Sequence, residues 1–82
     1  MKHLSDTITL MTSDSYEERF KAEYEQLKIR TEKLSAMLDD WKNGKLNFQP
    51  KCPYELLAEQ LLHMKDYART LEVRAKIEGI TL

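Results

Sequence analysis

Trp41, Lys42, Lys45, Lys51 and Tyr54 crowd into one short stretch, and their types suit an anion that carries a planar ring. Lysine ammonium groups reach phosphate oxygens as mobile point charges, while an aromatic ring offers a face on which a base stacks. Pro53 is the residue type that opens a helix, and the free amides of a helix's first turn attract anions. Lys45 and Lys51 make residues 43–53 locally positive in a chain of 13 basic and 14 acidic side chains with a formal charge of −1. A structural reading of the same residues stands beside this one: Trp41 and Phe48 plug the end of a helical hairpin while the lysines face water.

Other reactive side chains are less well placed. Cys52 sits at a helix start, where a thiol is activated, yet no histidine is near it in sequence and no second cysteine exists to resolve an oxidised form. A packed thiol is the reading taken. His3 and His63 stand apart, without cysteines or carboxylates at metal-ligand spacing. Asp39 and Asp40 are neighbours on a helix and point about 100° apart, so they form no acid/base pair. No glycine-rich phosphate loop, zinc motif or nucleophile elbow occurs. Tyr16, Tyr24, Tyr54 and Tyr67 are expected as interface aromatics. The chain therefore reads as non-catalytic, with no cofactor and no metal.

Two helices must position these groups. Ser15 followed by Glu18 has capping-box spacing, and Gly44 suits a left-handed helix ending, which predicts a first helix over about 16–42. Within it Tyr16, Phe20, Tyr24, Leu27, Thr31, Leu34, Leu38 and Trp41 recur at steps of three and four, a seam about 40 Å long. Residues 43–53 make an extended link in which Leu46 and Phe48 tuck over the helix ends. A second helix runs over about 53–78, with Leu57, Leu61, Met64, Ala68, Leu71 and Ala75 as its seam and Gly79 as its stop. Two such helices form an antiparallel hairpin, and the domain is set at 16–82. Residues 1–15 lack helical periodicity, and Thr7–Thr12 mixes β-branched with apolar residues. That arm is expected to be flexible or strand-like.

The hairpin leaves Leu56, Leu62, Val73 and Ile77 off the second seam, and Ile29 and Met37 off the first. Aliphatic side chains left in water favour self-association, so these are the expected interface of a homo-oligomeric, all-α bundle; a domain-swapped arrangement would bury the same seams. With 82 residues, 41% hydrophobic and 33% charged, the chain has the composition of long water-exposed helices and not of a membrane span. Near-neutral charge and helix faces of mixed sign argue against duplex DNA.

Residues Tyr16–Ile80, and above all the turn signature of Trp41, Gly44, Phe48, Pro50, Cys52, Pro53, Leu56 and Leu57, resemble a family of small helical-hairpin proteins encoded by bacteriophages, with relatives in crAss-like phages. The resemblance implies an accessory protein of the host bacterial cytoplasm, and no activity carries over residue by residue. Some small helical phage proteins oppose host immunity by sequestering cyclic nucleotide signals. By that analogy the expected function is a counter-defence trap that uses Lys42, Lys45 and Lys51 for phosphates and Trp41 or Tyr54 for the base. The alternative is an inhibitor or adaptor that docks on a host defence protein or a phage protein through its apolar face or its N-terminal arm.

Overall fold

A computed structural model of the chain describes residues 3–82. Among them every regular element is helical: a 3-10 turn at Leu4–Thr7 runs into α1 (Ile8–Met11), followed by α2 (Tyr16–Lys42) and α3 (Tyr54–Glu78). The two long helices form the hairpin, and the whole measures 43 × 24 × 17 Å.

The caps explain where the helices begin and end. The Ser15 side chain accepts from the Glu18 amide at 3.4 Å, which satisfies one orphan donor of the first turn. The expected reciprocal half is replaced: the Glu18 carboxylate takes the Ser13 hydroxyl at 2.6 Å, and that hydroxyl accepts from the Ser15 amide at 3.0 Å. At the other end Gly44 lies at φ +71°, and the Lys45 amide reaches back to Asp40 O at 2.7 Å. Pro53 precedes α3 in extended conformation, one residue ahead of the first helical position. Gly79, at φ +72°, ends α3 and lets the Ile80 amide bond to Ala75 O at 2.8 Å, the six-to-one bond of a Schellman ending.

Between the helices lies a small core of Phe20, Tyr24, Leu27, Leu71, Ala75 and Ile80, with Met64 and Ala68 packed against it. Each large apolar side chain fully withdrawn from water contributes about 1.5–3 kcal/mol. Ile80, placed beyond the helix stop by sequence, joins this core because the left-handed Gly79 turns the chain back over α3. Tyrosines pin the edges. The Tyr24 hydroxyl donates to Glu72 at 2.6 Å, that of Tyr67 donates to Glu23, and that of Tyr16 donates to Glu78 at 2.6 Å while accepting from Arg74 at 3.0 Å. Arg74 also stacks its guanidinium 5.0 Å from the Phe20 ring centre. Of the expected seam on α2, Phe20, Tyr24, Leu27 and Leu38 are buried, Thr31, Leu34 and Trp41 are half-buried, and Tyr16 is exposed.

Two expectations are corrected. The arm at 1–15, whose first two positions lie outside the described residues, is neither strand nor loose tail over 4–11: it is helical and packs on α2. Ala22, Gln26 and Ile29 form a second stripe on α2, and against it Thr7 is fully buried, with Gln26 Nε2 donating to Thr7 Oγ1 at 2.9 Å and to Met11 Sδ at 3.1 Å. A strand here would have had no sheet to join, and tertiary contact overrode the β-propensity of the threonines. The second correction concerns the link: Phe48 is exposed and does not tuck over the helix ends. Trp41 and Tyr54 already close that end against each other.

Candidate functional site

At the turn end of the hairpin, the last turn of α2 and the first residue of α3 bring two rings together. Trp41 and Tyr54 meet edge to face, centroids 5.4 Å apart and planes at 80°. Such a pair contributes about 0.5–1.5 kcal/mol beyond its buried area. Both rings are half-buried, so part of each stays accessible. Lys42 closes α2, and Lys45 and Lys51 lie in the link to α3; all three are exposed, and among the described residues none of them enters an ion pair. No side chain caps the start of α3, so the amides of its first turn are left to solvent or to a ligand, with Glu55 the acidic residue of that turn. Of the expected set, the structure brings Trp41 and Tyr54 into contact and leaves the three lysines as exposed neighbours of that pair along the chain.

An open groove of about 530 Å³ lies along α3, lined by Cys52, Leu56, Leu57, Gln60, Met64 and Tyr67 together with Glu59 and His63. Leu56, one of the apolar residues left off the second seam, is here a wall of the groove. Its signal was present: Leu56, Gln60, His63 and Tyr67 recur at steps of four, three and four, a stripe beside the core seam. Cys52 and His63 share this groove without a hydrogen bond between them, and His63 Nε2 instead lies 3.6 Å from the Glu59 carboxylate on the surface. The Cys52 thiol is free and half-buried.

A second, smaller groove of about 270 Å³ lies between the long helices, bounded by Tyr24, Thr31, Lys28, Lys65 and Glu72. Lys28 Nζ hovers 5.9 Å from the Tyr24 ring centre. The hydrogen bond to Glu72, helped by burial, pushes the Tyr24 phenol up to about 12. At the open end of the hairpin, Tyr16 is likewise raised, chiefly by its bond to Glu78, whose carboxylate that same bond lowers.

Leu56, Leu62, Val73 and Ile77 all stay in water in the single chain, at 53%, 64%, 50% and 80% exposure. By contrast Ile29, which the hairpin alone could not cover, is buried on the face that carries the N-terminal segment. Among the described residues no group of three or more His, Cys, Asp or Glu side chains is placed to hold a metal ion, and no helix is long and apolar enough to cross a membrane.

Fold and surfaces together define a small all-helical hairpin protein with an open apolar groove along α3 and lysines and aromatic rings at its turn. Residues 14–77 match the family model described as Sequestin, and the chain belongs to the Sequestin family. The match spans α2, the turn and all but the last residue of α3, and leaves out the N-terminal helical segment. No match is found among curated proteins or among solved structures.

Proposed function

We propose that this protein is a non-catalytic trap that sequesters a small phosphorylated nucleotide, a cyclic nucleotide immune signal, on behalf of a bacteriophage inside the host bacterial cytoplasm. The observation that carries the reading is membership of a family whose name denotes sequestration, over a stretch that includes the whole turn. The turn supplies suitable chemistry: Lys42, Lys45 and Lys51 are exposed cations for phosphates, and the half-buried rings of Trp41 and Tyr54 offer a surface for a base. The reading includes a homo-oligomer, because four exposed aliphatic side chains on α3 favour association.

Native mass spectrometry tests it. The purified chain is incubated with a panel of cyclic di- and trinucleotides and NAD-derived signals, and an integral gain of one nucleotide per chain or per oligomer supports the trap. A protein whose mass is unchanged across the panel refutes it. The exposure of Leu62 and Ile77 favours a second reading, docking on a host or phage protein through α3. In that case Leu62→Asp or Ile77→Asp abolishes activity in infected cells, while Lys45→Glu and Lys51→Glu leave it intact.

A further inference from the structure

On the side of α3 turned away from α2, Glu59, Leu62, Asp66, Arg69, Val73 and Lys76 recur at steps of three, four, three, four and three, and every one of them is exposed. The stripe has heptad spacing, but only Leu62 and Val73 of its six positions are apolar, so the pattern of its charges, not a continuous hydrophobic seam, is its distinguishing feature. Its charges are segregated, with Glu59 and Asp66 in the first half and Arg69 and Lys76 in the second. Among the described residues Asp66, Arg69 and Lys76 make no side-chain hydrogen bond or ion pair within the chain, and Glu59 makes one weak surface contact with His63.

We infer that α3 pairs with α3 of a second copy, antiparallel, about a two-fold axis that crosses each helix between residues 67 and 68. In that register Leu62 meets Val73 of the other copy, Asp66 meets Arg69, and Glu59 meets Lys76. By symmetry each contact forms twice. Ile77, the most exposed large apolar residue of α3, then lies over the small Ala58 of the other chain. All three seam layers join one position of each type in the coiled-coil repeat, as antiparallel pairs require.

Competing arrangements are disfavoured by the same residues. A parallel pair sets Glu59, Asp66, Arg69 and Lys76 each against its own copy, four layers of like charge. Sliding the antiparallel pair by one heptad puts Leu62 against Asp66 in one direction. In the other it puts Arg69 against Val73 and requires Ile80, which the intrachain core already buries. The contact spans residues 59–76, about 26 Å of helix. An interface this short falls at or below the lower end of specific protein interfaces, about 1,200 Å², so charge pairing sets its orientation and salt weakens it.

This pairing deepens the oligomeric part of the reading above and is tested without any nucleotide. Sedimentation of the ligand-free full chain at low salt is expected to give a two-chain mass that falls toward one chain on dilution and at high salt. The variants Glu59→Lys/Asp66→Lys and Arg69→Glu/Lys76→Glu carry seams of a single sign. Each alone is expected to be a monomer with unchanged helix content by circular dichroism, and an equimolar mixture is expected to regain the two-chain mass as a heterodimer. A monomeric parent chain, variants that keep the parent's mass, or a mixture that stays monomeric overturns the inference. Register is read separately from Leu62→Cys/Val73→Cys in a Cys52→Ala background, which mild oxidation converts to a covalent two-chain product if these positions face each other. Absence of that product overturns the register. Failure of nucleotide capture in the mass-spectrometry panel leaves each of these outcomes readable.

Discussion

Tyr24 joins the two long helices with a neutral hydroxyl that donates to the Glu72 carboxylate at 2.6 Å, and deprotonation would set two anions against each other there. Its folded pKa of about 12 lies above the ordinary value of 10.0, so folding favours the protonated phenol. The stabilisation is therefore complete below pH 10 and is lost as pH climbs from 10 through 12. Tyr24→Phe removes the bond and leaves Glu72 free to rehydrate, at a cost of about 1 kcal/mol near neutral pH. Urea melts of both chains across pH 9 to 12 check this: the parent loses its advantage over the variant within that window, and a gap that persists at pH 12 contradicts the assignment. Leu71 makes a sharper case, since it is fully buried between the helices. Leu71→Ala should cost about 2–5 kcal/mol, a large share of what so small a domain possesses, read as a fall in the urea midpoint.

Gly79 acts on a whole element. Its left-handed backbone returns Ile80 to the core, and although a Cβ there would meet no neighbouring atom, an L side chain at φ +72° is strained. Gly79→Ala should therefore cost about 1 kcal/mol by thermal melting, with α3 otherwise intact. The N-terminal segment is a separate unit held on α2 by the stripe of Ala22, Gln26 and Ile29. Ile29→Asp should release it: amide exchange over residues 4–12 accelerates while the protection of α3 is retained. If both regions lose protection together, the segment is part of one cooperative unit with the hairpin. How legible these elements were follows from where their instructions reside. The long helices announce themselves through local caps and through periodicity, so both lie within a residue of expectation. The N-terminal helix does not, because Thr7, Thr9 and Thr12 have strand character and the stripe that overrides it belongs to α2, far along the chain. Phe48 was misplaced for a related reason: alternation implied burial, but the space at the turn end is taken by Trp41 and Tyr54, which meet only once the hairpin closes. The turn cluster was readable because its members are neighbours in sequence. The α3 groove was not, because its stripe of Leu56, Gln60, His63 and Tyr67 is half polar and falls below the contrast that marks an apolar face.

Across the whole molecule the two surfaces proposed for function are separated. The cationic turn lies at one pole, and the charged seam of α3 lies along one flank, away from α2. In the proposed two-fold antiparallel pair the two turns project from opposite ends, so neither blocks the other and each pair would present two copies of the proposed capture site. Ligand capture and self-association should then respond to different substitutions. Lys45→Glu/Lys51→Glu shifts the formal charge of the chain from −1 to −5 and replaces attraction for phosphate by repulsion at the turn. Because both side chains are exposed and make no ion pair, stability should change by no more than about 0.5 kcal/mol. The expected result is a protein of parental mass and melting temperature that no longer retains a nucleotide bound by the parent, with at least a tenfold loss of affinity by calorimetry. Glu59→Lys/Asp66→Lys should do the opposite, giving a monomer that still retains one nucleotide per chain. If the seam variant also loses the nucleotide, the site is completed by the second copy, and the pocket must then be sought where the two α3 helices meet and not at the free turn.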